Sequence, residues 1–198
     1  MMLIRSLVKI LAVLMVLAIP AASARAGEAT AQLKQTIDEF VAILINTSVD
    51  ELQATGLPQK ALKLINGRFD FSEMTRRSLG KHWNLLEGSE QKEFVEAFTD
   101  RLLYAYGRTV RASGDEKIEF KSETGDEKFA NVVTKVVSGN GEELPIDYHL
   151  LATDGQWKVY DMVIDQVSIV INYRAQFERV IAKSSLKELL QRMKRFES

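Results

Sequence analysis

The side chains able to do chemistry are few. The 198-residue chain has no cysteine and two histidines, His82 and His149. Without cysteine there is no thiolate nucleophile, no Cys-ligated metal and no disulfide. Neither histidine has a second histidine at metal-ligand spacing. No G-x-S-x-G, P-loop or H-E-x-x-H pattern occurs. What remains is a group of carboxylates, Asp147, Asp161 and Asp165, close in sequence to Tyr148 and Tyr160. An acid and a tyrosine inside an apolar cone would move and stabilise a proton, as in ketosteroid isomerases. The alternative is structural: hydrogen bonds to neighbouring backbone, or an ion pair such as Asp161 with Arg174. A basic cluster, Lys183, Lys187, Arg192, Lys194 and Arg195, fits an acidic partner or lipid headgroups. It equally fits a solvated face that complements a helix C-terminus.

The elements that must position these residues are legible from periodicity. Leu33, Ile37, Phe40, Val41 and Leu44 predict a helix over Ala31–Asn46. Ser48 with Glu51 is a capping-box pattern for a short second helix. Pro58 opens a third that ends at Gly67. Asp70 with Glu73 opens a fourth, carrying Phe71, Met74 and Leu79, and Gly80 ends it. Ser89 is a cap for the longest helix, Glu90 to Arg111, with Phe94, Val95, Phe98, Leu102 and Tyr106 on one side. The period then changes to two. Lys117–Lys121, Phe129–Val137, Leu144–Leu151 and Trp157–Ile164 predict four strands, separated by the turn-forming runs Thr124–Asp126, Ser138–Gly141 and Thr153–Gly155. After Ser168 the spacing becomes helical again, with Val170, Tyr173, Phe177 and Ile181 on one face. Ser185 and Glu188 cap a last amphipathic helix. The order is helices, sheet, helices. It predicts one α+β domain, with helices packed on a twisted, cone-like, four-stranded antiparallel sheet. The sheet-to-helix junction near Ser168 has apolar residues on both sides; it walls a cavity or fills a core, and spacing alone permits both.

The first 26 residues stand apart. Arg5 and Lys9 precede the apolar run Ile10–Ile19, then Pro20 and the small-residue sequences Ala22-Ser23-Ala24 and Ala24-Arg25-Ala26. Charge, apolar stretch and A-x-A site in that order predict a signal peptide over 1–26, leaving a domain over 27–198. The run is short for a membrane span, and no cysteine follows it for lipid attachment. Removing Arg5, Lys9 and Arg25 from the 26 basic residues leaves 23 against 27 acidic ones, a net charge of −4. That balance disfavours nucleic acid as a partner and bulk electrostatic docking on anionic membranes.

Four stretches carry a resemblance. They are D-F-S-E-M-T-R-R-S-L-G-K-H-W at Asp70–Trp83, F-V-E-A-F-T-D-R-L-L-Y-A-Y at Phe94–Tyr106, L-P-I-D-Y-H-L at Leu144–Leu150, and W-K-V-Y-D-M followed by V-S-I-V-I-N-Y-R-A-Q-F between Trp157 and Phe177. In this order they resemble the periplasmic phospholipid-binding proteins of the Mla pathway, the MlaC-like or toluene-tolerance family. That family usually has a Glu-Gly-like pair before the Val-Ser, where this chain has Asp165-Gln166. The resemblance implies a hydrophobic pocket between helices and sheet. It implies a non-catalytic periplasmic carrier, a monomer with no cofactor other than its phospholipid cargo. Its implied partners are an ABC transporter complex in the inner membrane and a lipoprotein complex at the outer membrane, met only transiently. A hopanoid is the nearest alternative cargo. A cone-fold isomerase or hydratase, and an interaction module with a filled core, are the rival functions.

Parity and helical phase select a lining for the pocket: Leu103, Tyr104, Phe120, Val133, Met162, Ile164 and Ile171. Tyr148 and Val167 join it from stretches that resemble the family. A carboxylate at Val167 is expected to expel an acyl chain. Gly80 and Ala112–Asp115 are the expected hinges between the helices and the sheet.

Overall fold

The computed structural model describes residues 27–48, 50–52, 56–107 and 116–195. The expected leader and the Ala112–Asp115 linker lie outside these residues. Among the described residues, α1 (Glu28–Ile45), α2 (Gln59–Arg68), α3 (Phe71–Leu79) and α4 (Gly88–Gly107) precede the sheet, and residues 50–52 between α1 and α2 are also helical. A 3-10 turn, Gly80–Leu85, joins α3 to α4. Then come β1 (Lys117–Gly125), β2 (Phe129–Val137), β3 (Glu143–Thr153), β4 (Gln156–Ile164) and β5 (Val167–Ser168), followed by α5 (Ile169–Lys183) and α6 (Leu186–Lys194). The mixed α+β architecture is the one expected. The sheet is an antiparallel meander in the order β1-β2-β3-β4-β5, so it has five strands and not four. The fifth is only two residues long, too short to show a period.

Short polar side chains set the element ends. Asp70 accepts a hydrogen bond from the Glu73 N–H at 2.8 Å and starts α3. Ser185 does the same for Glu188, at 3.1 Å, and starts α6. Ser48 caps in the same way, accepting from the Glu51 N–H at 3.1 Å. The longest helix begins one residue before Ser89, and there the Glu90 carboxylate accepts from the Glu87 N–H at 2.9 Å. Gly80 ends α3 with φ +56°. A Cβ built there would approach the Arg174 guanidinium to 3.0 Å, so both the backbone angle and the packing favour glycine.

Two hairpins turn on two residues each. Asp154-Gly155 has positive φ at both positions, the form that two-residue hairpins favour. Asp165-Gln166 does the same at φ +46° and +67° without a glycine. A side chain in this region costs about 1–2 kcal/mol. We therefore expect Gln166→Gly to raise unfolding stability, by up to about 1 kcal/mol once the extra freedom of glycine in the unfolded chain is subtracted. Chemical denaturation reads this directly, and a loss of stability would contradict it.

The core has two parts. One lies among α3, α4, α5 and α6, centred on Phe94, Phe98, Tyr173 and Phe177. The Phe98 ring meets Tyr173 and Phe177 edge-on at 4.9 and 5.3 Å between centroids. The other lies between α1 and the sheet and includes Leu33, Val132, Leu150, Trp157 and Val159. Phe69 and Met162 touch both. Phe69 also makes a single parallel bridge to Val159, and the Asp70 N–H donates to the Val159 carbonyl at 2.8 Å. That contact covers the end of β4 that β5 leaves unpaired.

Candidate functional site

Between the two core parts lies a cavity of about 620 Å³. This is within the roughly 300–1,000 Å³ usual for ligand pockets. One helix supplies a whole stripe of its wall: Leu33, Thr36, Ile37, Phe40, Val41 and Leu44 of α1 recur at three and four residues. The sheet supplies Ile118, Val136, Ile146, Tyr148, Met162 and Ile164. Ile146, Tyr148, Met162 and Ile164 face each other as cross-strand pairs on one side of the meander, and the cavity lies on that side. Leu102, Leu103 and Tyr106 of α4 close another side. Among the described residues of the lining, Arg68 and Glu116 are the charged ones.

The nine residues selected from sequence divide. Leu103, Tyr148, Met162 and Ile164 line the cavity. Tyr104, Phe120, Val133, Val167 and Ile171 do not. Tyr104 is two residues past Leu102, about 200° round the helix, and is 51% exposed. Val133 has the wrong parity: Val132 is fully buried, while Val133 shares the other face with its pair partner Asp147. Phe120 packs into the core under the start of α1, with Lys34 Nζ 5.6 Å from its ring centre. Ile171 is one helical step from buried Val170 and is 68% exposed. Val167 sits in the edge hairpin opposite Ile164 and is 53% exposed. A carboxylate there would meet water, so the expected loss of cargo in Val167→Glu is withdrawn. The α1 stripe was visible as a helix face, but nothing in its spacing separates a cavity wall from a core face.

The carboxylates named above stay out of the cavity. Asp161 is buried, and it accepts from the Ser168 hydroxyl at 2.6 Å and from the Val170 N–H at 3.0 Å. His149 Nδ1 stands 3.6 Å from its Oδ2. The partner is thus His149 and not Arg174. Burial pushes the Asp161 carboxyl upward, but the pull of His149, Ser168 and the Val170 N–H outweighs it, leaving the group below its ordinary value. Ser168 in turn caps α5, accepting from the Ile171 N–H at 3.0 Å. Asp161 therefore fastens the sheet-to-helix junction. Its stabilisation is present above the ordinary carboxyl range, near 3.8, and is lost as pH falls through the lower native value. We expect Asp161→Ala to cost about 2–3 kcal/mol at neutral pH. The gap from the parent should close below about pH 3.8 in urea melts; a gap independent of pH would contradict the assignment.

Tyr160 packs under Arg77, whose guanidinium carbon is 4.1 Å from the ring centre. His82 pairs with Glu178 at 3.1 Å. Within the C-terminal basic cluster, Arg192 and Arg195 pair with Glu188, and Lys194 with Glu93. Tyr148 is a buried polar residue of the cavity wall. Burial pushes its phenol up to about 12, so it stays a neutral donor at any physiological pH. No group among the described residues hydrogen-bonds its hydroxyl.

Sequence reasoning missed Arg68. It ends α2, where a basic residue merely complements the helix dipole. In the structure its Nε donates to Thr36 Oγ1 at 2.9 Å, and its Nη1 donates to Gln32 Oε1 at 3.0 Å and to the Trp157 carbonyl. Burial pulls the guanidinium below its ordinary value. The arrangement as a whole can hold a chain of hydrocarbon in a dry wall. Among the described residues no group of three or more His, Asp or Glu side chains could hold a metal. No helix among them is long and apolar enough to cross a membrane.

Comparison with known proteins agrees with this geometry. The phospholipid-binding protein of Ralstonia solanacearum, solved in complex with a phospholipid, superposes with a TM-score of 0.75 at 25% identity, over 84% of this chain and 95% of that one. The intermembrane phospholipid transport system binding protein MlaC of Haemophilus influenzae is 24% identical over 125 residues, 61% of this chain and 58% of that protein. The toluene tolerance protein ttg2D of Pseudomonas putida is 29% identical over 89 residues, 44% of this chain and 41% of that protein. The chain thus matches about half the length of these two relatives. The model of the MlaC protein family matches residues 34–195, across every helix and strand of the described domain, and the chain belongs to that family.

Proposed function

We propose that this protein is a phospholipid carrier of the periplasm. The observation that carries the reading is the cavity, mostly apolar among the described residues, in a fold shared with a protein solved with phospholipid bound. An acyl chain costs about 0.8 kcal/mol per CH₂ to expose to water. A shuttle must therefore enclose its chains, and it needs aliphatic walls more than reactive groups. The carboxylates that an isomerase would use are engaged at the junction or lie away from the cavity, which favours carriage over catalysis. In this reading the segment over 1–26 directs export and is removed near Gly27. Cargo then passes between an ABC transporter complex in the inner membrane and a lipoprotein complex at the outer membrane.

The test separates carrier from enzyme. Purified protein is loaded from vesicles of labelled phosphatidylethanolamine, mixed with unlabelled vesicles, and the lipids are resolved by thin-layer chromatography. Intact label in both protein and acceptor vesicles is expected. Lyso-lipid or another product accumulating with time would identify an enzyme, and no label on the protein would reject the carrier.

A further inference from the structure

The two charges of the cavity lie at opposite ends of it. Arg68 bonds the carbonyl of Trp157, which pairs with Ala152 beside the β3–β4 turn. Glu116 precedes Lys117, which pairs with Val137 at the far end of the sheet. Near Glu116 the lining residue Leu144, which pairs with Val136, is exposed; near Arg68 the lining includes buried Leu33. The cavity is thus open towards Glu116 and closed towards Arg68.

Arg68 has no carboxylate partner among the described residues. Its three hydrogen bonds go to neutral oxygens and use Nε and Nη1. A guanidinium has five N–H donors, so the pair on Nη2 is left without an acceptor among the described residues. A half-buried cation next to hydrocarbon is costly, and the two diverging N–H groups on Nη2 remain to donate singly to the oxygens of an anion. The negative charge of Glu116 at the open end disfavours an anion there. We propose that the cavity binds long-chain carboxylates, with the carboxylate on Arg68 at the closed end and the hydrocarbon running along β3 and β4 towards Ile146 and Ile164. This ligand is additional to the phospholipid cargo, and the inference rests only on the cavity admitting amphiphiles. In the carrier reading the phospholipid headgroup stays at the open end, so a phosphodiester lipid should not depend on Arg68.

The probes are palmitate, hexadecanol and hexadecylphosphocholine, each displacing the neutral dye Nile red from delipidated protein at pH 8. Palmitate is expected to bind at least about tenfold tighter than hexadecanol, the scale of a charge-assisted hydrogen bond. In Arg68→Gln that ratio should collapse towards one; in Arg68→Lys, which keeps a positive charge, part of it should survive. The ratio for hexadecylphosphocholine over hexadecanol should not respond to Arg68→Gln. Equal binding of palmitate and hexadecanol by the parent protein overturns the inference without any variant. So does a palmitate preference that persists in folded Arg68→Gln, or an Arg68 dependence confined to the phosphodiester. Displacement by hexadecylphosphocholine alone would sink this inference and leave the carrier standing; displacement by none of the three would reject both.

Discussion

Replacing Ile146 by Glu is expected to strip the protein of phospholipid. Ile146 lies in the first half of β3, lines the cavity and pairs with Ile164 across the sheet. Among the described residues of the lining the cation is Arg68, which sits at the other end of the strands. Enclosing it beside acyl chains costs several kcal/mol, so retention should fall by about a hundredfold or more. Val167→Glu is the control, because its side chain is largely in water and β5 only borders the site. Lipid extracted from equal amounts of the two purified variants decides the matter. If Ile146→Glu keeps as much lipid as Val167→Glu, the cavity is not where lipid binds.

The largest loss of stability is expected from Phe98→Ala. Phe98 is fully buried, and its ring is the contact between α4 and α5, edge-on to both Tyr173 and Phe177. Truncation removes the ring's burial and leaves a void among rigid neighbours, worth about 3–5 kcal/mol. For a domain of this size that lowers the melting temperature by roughly 10 °C. Leu85→Ala should change stability by less than about 0.5 kcal/mol, because Leu85 is mostly exposed. Comparable melting temperatures for the two variants would mean that α4 and α5 are not packed through Phe98.

These expectations draw unequally on the sequence. The turns, the caps at Asp70, Ser48 and Ser185, and the change to helix after Ser168 are local chemistry, and they are legible residue by residue. The buried row of Val170, Tyr173 and Phe177 follows from spacing alone. The site is less legible. In β2 both parities are apolar, Phe129, Val133 and Val137 against Ala130, Val132 and Val136, so nothing local says which faces the cavity. In α4 Leu103 and Tyr104 are adjacent and similar in character, and only the position of β3 and α1 decides between them. An empty volume belongs to several elements at once, and no single stretch encodes it. Arg68 shows the same limit: its place at a helix end looks like dipole compensation until Gln32, Thr36 and Trp157 come round it.

The carrier reading stands or falls on what the protein holds when it leaves the cell. Native mass spectrometry of protein purified without detergent from the periplasmic fraction measures this directly. The predicted result is a species heavier than the polypeptide by the mass of one phospholipid, converting to the bare chain on collisional activation with release of that lipid. A spectrum containing only the bare polypeptide, from protein shown to be folded, would contradict the account.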